Sequence, residues 1–129
     1  MAVYLFTGQP GSGKTTLAKK LQFWLQTDKK NWRKSVFHID ENQTEHPFEV
    51  ALYLDKYGND VVLSLISPNR EIRENFKSKS KVIEIYCQSK KMRNQSVVEN
   101  YEPPIDFFVD LDTSDSIDIT FNKLIKLIS

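Results

Sequence analysis

Eight consecutive residues near the amino terminus, Gly8-Gln9-Pro10-Gly11-Ser12-Gly13-Lys14-Thr15, have the types and the spacing to hold phosphate. They match G-x-x-x-x-G-K-[ST], the P-loop pattern, in full. The glycines let backbone N–H groups turn inward and form an anion-binding nest. A helix starting at the same point adds the partial positive charge of its amino end. Lys14 would reach the β- and γ-phosphates of a nucleoside triphosphate and the Thr15 hydroxyl would ligate Mg²⁺. The expected ATP-binding set runs from Gly8 through Thr16. The plain alternative is a glycine turn capping a helix, with Lys14 on the surface. The full pattern between a strand and an amphipathic helix weighs against it.

Two other stretches could supply chemistry. His38-Ile39-Asp40-Glu41-Asn42 follows an apolar run. Asp40 could hold a Mg²⁺-bound water or accept the proton of an attacking hydroxyl. The bland reading is an acidic loop in which Asn42 caps a turn. Ser67-Pro68-Asn69-Arg70 follows a second apolar run. Arg70 could grip an anionic substrate with its planar fork; the bland reading there is a Ser N-cap with Arg70 solvated.

Strands and helices must alternate to bring these stretches together. Ala2 to Phe6 reads as a strand, and Thr15 to Gln26 has helical spacing at Leu17, Ala18, Leu21, Trp24 and Leu25. Ser35 to Ile39 reads as a second strand, and Phe48 to Tyr57 as a helix stopped by Gly58-Asn59. Val61 to Ile66 is nearly unbroken in its apolarity, as a strand covered on both faces would be. Pro68 is expected at the start of the next helix, through Lys77, where its missing N–H costs nothing. Val82 to Cys87 and Phe107 to Leu111 read as further strands. Ser114 or Asp115 is expected to cap a last helix with Ile117, Phe121, Leu124, Ile125 and Ile128 on its apolar side. This alternation predicts a parallel sheet of about five strands with helices on both faces. Ligands bind along the carboxyl edge of such sheets, where all three stretches would lie.

Composition narrows the function classes. The chain has 129 residues, one domain's worth, with 40% hydrophobic and 27% charged side chains. Lys and Arg number 18 against 17 Asp and Glu, so a net charge of +1 gives no global field for nucleic acid or an anionic membrane. No apolar run approaches the ~20 residues that span a bilayer, and no signal-peptide pattern opens the chain. Cys87 is the single cysteine, so no internal disulfide or cysteine metal cluster is expected. A soluble, cytoplasmic protein is expected. Seven basic residues against Asp28 lie in 1–34, and seven acids without a base lie in 99–118, the latter read as a solvated face.

No Asn/Thr-Lys-x-Asp element of a GTPase is present. The third strand ends in Ser67-Pro68-Asn69-Arg70 rather than in the acid of a motor or transporter ATPase. A small-molecule kinase fits better, because its catalysis is mostly positioning and charge neutralisation.

At these residues the chain resembles adenylylsulfate kinase, the P-loop enzyme that phosphorylates the ribose 3′-hydroxyl of adenosine 5′-phosphosulfate. The resemblance is carried by Gly8 to Thr15 and by Asp40-Glu41-Asn42, which is similar to a longer Asp-Gly-Asp-Asn. Ile66-Ser67-Pro68-Asn69-Arg70 matches the family's Ile-Ser-Pro-x-Arg, and Tyr101-Glu102-Pro103-Pro104 and Asp112-Thr113 resemble later motifs. It implies that Asn42, Ser67 and Arg70 meet the sulfated nucleotide, and that Ser67 corresponds to a serine described as a phosphorylated intermediate. Direct in-line transfer needs only the P-loop, metal and positioning. The family's substrate stretch is missing, since Gln43 to Glu49 is too short to contain it. Its lid is reduced to Gln88 to Val97, where Lys90, Lys91 and Arg93 could act on the phosphates.

The expected architecture is therefore a three-layer α/β P-loop kinase fold in one domain. The expected cofactors are ATP and Mg²⁺. Lys14, Asp40 and Ser67 are the expected catalytic residues; Gly8 to Thr16 and Arg93 would bind ATP; Thr15 and Asp40 would hold the metal. The expected partner is a small nucleotide, with neither nucleic acid nor membrane. The resemblance adds a place in sulfate assimilation and makes a homodimer possible, since family members are often dimers. No helix shows an apolar second face strong enough to predict one, so oligomeric state stays open. Two rivals are a kinase of another nucleotide, nucleoside or small hydroxyl compound, and a nucleotide-binding module without catalysis.

Overall fold

Short runs of β-branched and aromatic residues alternate with amphipathic stretches, and the backbone follows that alternation. The computed structural model of the chain describes residues 2–27, 35–90 and 97–129. Its elements are β1 (Val3–Thr7), α1 (Lys14–Thr27), β2 (Val36–Asp40), α2 (Pro47–Lys56), β3 (Asp60–Leu65), α3 (Arg70–Lys79), β4 (Val82–Gln88), β5 (Phe108–Asp112) and α4 (Ile117–Ile128). The strands form one parallel sheet in the order β2-β3-β1-β4-β5. The expected five-stranded parallel α/β sheet with helices on both faces is the architecture found.

Side chains alternate across the strands and build two cores. Phe6, Val62, Ile85, Cys87 and Leu111 pack with Leu17, Leu21 and Leu25 of α1 and Phe121 and Leu124 of α4. On the opposite face Val3, Leu5, Ile39, Val61, Leu63 and Leu65 pack with Ala51 of α2 and Phe76 of α3. Each fully buried Leu or Phe contributes about 1.5–3 kcal/mol in transfer free energy. All six residues of β3 are buried, as its unbroken apolar run predicts. Among the described residues no helix is long and apolar enough to cross a membrane.

The starts of α3 and α4 depart from expectation, and hydrogen bonds show why. Pro68 does not open α3. Asn69 is the N-cap, its Oδ1 accepting from Ile72 N at 3.1 Å, so neither Pro68 nor Ser67 has that role. Pro47 instead occupies the first turn of α2. The cap of α4 is Ser116 rather than Ser114 or Asp115. Ser114 is already engaged, its Oγ accepting from Lys90 N at 2.8 Å, and Asp115 pairs with Lys123 at 2.9 Å. The acidic stretch is the expected solvated face: Glu99, Glu102, Asp106, Asp110, Asp112, Asp115 and Asp118 are all exposed.

Candidate functional site

Parallel register brings the carboxyl ends of the strands to one edge. Thr7 stands beside Leu65 on one side and Tyr86 on the other, and Asp40 stands beside Ser64. The P-loop springs from Thr7, so the three stretches singled out in the sequence share this edge.

Gly8 leaves the strand at φ +152°, and a Cβ there would lie 2.4 Å from the Cys87 carbonyl oxygen. Only glycine allows so close a crossing of β1 and β4 at that point. Lys14 is 6% exposed, and its Nζ donates to the Gln9 carbonyl at 3.0 Å across the loop. Burial lowers its pKa below the ordinary lysine value, opposed by the Glu41 carboxylate and by Cys87. The bland reading with Lys14 on the surface is therefore excluded. Thr15 and Thr16 are exposed at the start of α1.

The far wall of the P-loop comes from the turn after β5. Thr113 Oγ1 donates to Ser12 O at 2.6 Å and Thr113 N to Gln88 O at 2.7 Å. Between these segments lies a hollow of about 150 Å³ lined by Gly11, Gly13, Thr16, Ser114 and Asp115 among others. Ser12 and Thr120 also line this hollow, and their hydroxyls, Ser12 Oγ and Thr120 Oγ1, are out of contact with water. Among the described residues these are the buried side-chain polar atoms without a hydrogen-bond partner. Such groups are uncommon, and each calls for a physical explanation. The sequence reading assigned Thr113, Ser114, Asp115 and Thr120 no contact with the P-loop. The signal available was their place after the last strand of a parallel sheet.

At the other end of the edge, Asp40 caps its own turn. Its Oδ1 accepts from Asn42 N at 2.9 Å, so the capping group is Asp40 and not Asn42. Glu41 reaches across to β3, its Oε2 accepting from Ile66 N at 3.2 Å. The acid that acts on Lys14 is thus Glu41, a residue the sequence reading gave no role of its own. His38 bonds Ser64 Oγ through Nε2 at 2.8 Å, and burial lowers its pKa against the pull of Asp40.

Ser67 has a backbone φ of +40°, a conformation that costs a non-glycine residue about 1–3 kcal/mol. Arg73, fully buried, holds the Ser67 carbonyl through Nη1 and the Glu102 carbonyl through Nη2. Glu102 N donates to Pro68 O at 2.8 Å, and Arg70 Nε donates to Pro103 O at 2.7 Å. The two short motifs at Ile66–Arg70 and Tyr101–Pro104 are therefore one hydrogen-bonded unit. Tyr101 anchors it to the P-loop strand. Thr7 Oγ1 donates to Ile66 O at 2.9 Å, so the Tyr101 hydroxyl, 2.9 Å away, donates to Thr7 Oγ1. Burial pushes the Tyr101 phenol up to about 12, which keeps that donor protonated.

Ser67 also lines a cleft of about 470 Å³ with Glu41, Thr44, Glu45, Phe48 and Ile72 among others. Arg70 is not part of that lining. Arg93 and Lys91 lie outside the described residues. Lys90 is exposed at the end of the described segment.

Fold and site define the class: this is a P-loop kinase-like, nucleotide-binding fold. A family model described as chromatin associated protein KTI12 matches residues 1–83, from β1 into β4, and the chain belongs to that family. Among solved structures, APE1195 matches with a TM-score of 0.79 at 23% identity, over 98% of this chain and 94% of that one. The Mycobacterium tuberculosis APS kinase CysC, in complex with AMPPNP and APS, matches at 0.73 and 18% identity, over 98% and 96% of the two chains. The Chaetomium thermophilum Kti12 in complex with ADP-AlF3 matches at 0.67 and 16%, over 98% and 99%. At these identities the likeness is one of fold. The adenylylsulfate kinase resemblance thus extends to the shared fold, while the family match is to KTI12. A search of curated protein sequences finds no match.

Proposed function

We propose that the chain is an ATP- and Mg²⁺-dependent phosphotransferase acting on a small hydroxyl compound. The observation that carries this is the full P-loop at the carboxyl edge of the sheet, with Lys14 buried inside it and bonded to the Gln9 carbonyl at 3.0 Å. A nucleotide would set its phosphates on the Gly8–Thr15 backbone, next to the hollow lined by Gly11, Gly13 and Thr16. Lys14, held inside the loop, supplies the cation for the β- and γ-phosphates. Thr15 and Asp40 would hold Mg²⁺. Among the described residues no group of three or more His, Cys, Asp or Glu could form an all-protein metal cage. Mg²⁺ needs none, because it binds through one or two protein oxygens, phosphate and water. When bound, it neutralises charge on the phosphates.

Transfer is direct. The bond between the γ-phosphorus and the β,γ-bridging oxygen breaks, and its electron pair leaves on ADP. The acceptor oxygen forms the new P–O bond. Its proton passes to a carboxylate at the end of β2, Asp40 or the neighbouring Glu41, and then to solvent. Ser67 and Asn42 stand at the acceptor side of this edge.

The acceptor implied by the sequence resemblance is adenosine 5′-phosphosulfate. Another hydroxyl acceptor is favoured by one observation: Arg70, the residue expected to grip the anion, does not line the cleft beside Ser67, its Nε bonding the Pro103 carbonyl instead. The test is γ-phosphate transfer from labelled ATP to the sulfated nucleotide and to neutral nucleosides, with Asp40→Asn and Glu41→Gln as controls. Turnover that falls at least about 100-fold in one of the two variants identifies the proton acceptor. Absence of transfer to every acceptor, with ATP bound, would leave a nucleotide-binding module.

A further inference from the structure

Of the hollows along the carboxyl edge, the cleft beside Ser67 is the one whose chemistry speaks to the acceptor. Its walls are the β2–α2 connection, with Glu41, Thr44, Glu45, Pro47 and Phe48, and the end of β3 with the start of α3, with Leu65, Ser67 and Ile72. At about 470 Å³ it lies within the ~300–1,000 Å³ range of small-molecule sites. It opens next to the P-loop, because Ile66, between Leu65 and Ser67, binds Thr7 Oγ1 through its carbonyl.

Two properties of the lining are independent of each other. First, it offers apolar surface suited to a flat ring. Phe48 packs on Phe76 with ring centroids 4.5 Å apart, which fixes it as a wall, while Ile72 stays 52% exposed. Second, among the described residues every charge in the lining is negative: Glu41 and Glu45 line it, and no described Lys, Arg or His does. Glu41 is held in place by Ile66 N at 3.2 Å. Arg70, three residues after Ser67, donates through Nε to Pro103 O and does not line the cleft; His46 and Arg73, next to lining residues in sequence, do not line it either. Like charges brought together at a binding surface are strongly disfavoured.

Resting on the phosphotransferase reading, we infer that this cleft receives an acceptor with an apolar ring face and no anionic group, and that it prefers a compound bearing an amine. A sulfated or phosphorylated acceptor would place its charge against two carboxylates. An ammonium would instead pair with Glu45 at the rim.

The test uses one ring with three charges. Protein saturated with ADP and Mg²⁺ is titrated calorimetrically with 5′-amino-5′-deoxyadenosine, adenosine and 5′-AMP, then with adenosine 5′-phosphosulfate. The amine should bind tightest and both anions weakest, with a spread of at least about tenfold. Glu45→Gln should narrow that spread, and Glu45→Lys should reverse the order of amine and anion. Equal or tighter binding of either anion to the unmodified protein overturns the inference. So does the absence of binding by all four compounds while ADP remains bound, which leaves the nucleotide reading standing. Failure of ADP itself to bind removes that reading, and the inference with it.

Discussion

The side chain of Gln9 grips the backbone of Val98 at both ends: Nε2 donates to Val98 O at 2.9 Å, and Oε1 accepts from Val98 N at 2.8 Å. A variable position of the P-loop is thereby tied to the segment that carries Tyr101 and Glu102. The same Gln9 accepts from Lys14 through its carbonyl.

Loss of that clamp should be measurable. Each hydrogen bond is worth about 0.5–1.5 kcal/mol net, so Gln9→Ala should destabilise the chain by about 1–3 kcal/mol. Gln9→Glu keeps the acceptor for Val98 N but sets a carboxylate oxygen against Val98 O where the donor stood, so it should destabilise at least as much as Gln9→Ala. Urea unfolding of the three proteins checks the order.

Gly8 should tolerate no side chain. A methyl at 2.4 Å from the Cys87 carbonyl requires β1 and β4 to move apart where the phosphate cradle begins. Gly8→Ala should cost about 1–3 kcal/mol in backbone strain and weaken ADP binding by at least about tenfold. Binding of ADP to a folded Gly8→Ala protein at unchanged affinity would show that the cradle lies elsewhere.

Arg73 should be the most sensitive buried position. Its Nε meets Glu84 Oε2 at 3.0 Å, with both side chains almost wholly out of water. Removing one partner of a buried pair typically costs about 3–5 kcal/mol. Arg73→Ala should fall in that range, and Arg73→Lys, lacking the fork that also holds Ser67 and Glu102, should recover only part of it. Thermal unfolding reads both.

Lys14 gives a pH dependence with a definite sign. Burial sets its folded pKa below the ordinary 10.5, against the opposing fields of Glu41 and Cys87. Between the folded and unfolded values the unfolded chain binds more protons, so this group's contribution to stability rises with pH. Triphosphate affinity moves the other way, because it needs the ammonium form. ADP affinity should begin to fall at a pH below 10.5. In Lys14→Arg, whose guanidinium stays protonated, the fall should vanish. Identical pH profiles for the two proteins would remove Lys14 from the phosphate site.

The sequence displayed what depends on local pattern. Gly8–Thr15 is contiguous, and the period of Leu17, Leu21 and Leu25 is written along the chain, so P-loop and α1 were legible together. The parallel sheet followed from alternation alone. What stayed hidden rests on contacts between residues far apart in sequence. Nothing around Arg73 announces Glu84 or the Glu102 carbonyl, and nothing around Gln9 announces Val98. Glu41 was in view beside Asp40, yet their different partners, Asn42 N for Asp40 and Ile66 N for Glu41, follow from the turn and from β3 rather than from the pattern of residues. The caps were not legible for a similar reason: at α4 the Ser114 hydroxyl is engaged by Lys90 N and Asp115 by Lys123, which leaves Ser116, and at α3 it is the Asn69 side chain that reaches Ile72 N.

The order of the strands has a consequence for how the protein comes into being. β1 is made first, but its two neighbours in the sheet are β3 and β4, so Val3 must wait for Val61 and Val82. The P-loop waits longer still, because its Ser12 carbonyl is met by Thr113. At ~5–20 residues per second of synthesis, a nascent chain carries an unpaired, apolar first strand for several seconds. Pairings this distant also tend to slow refolding. Nucleotide can therefore reward the fold only after Thr113 has been made, and added ADP should slow unfolding far more than it speeds folding.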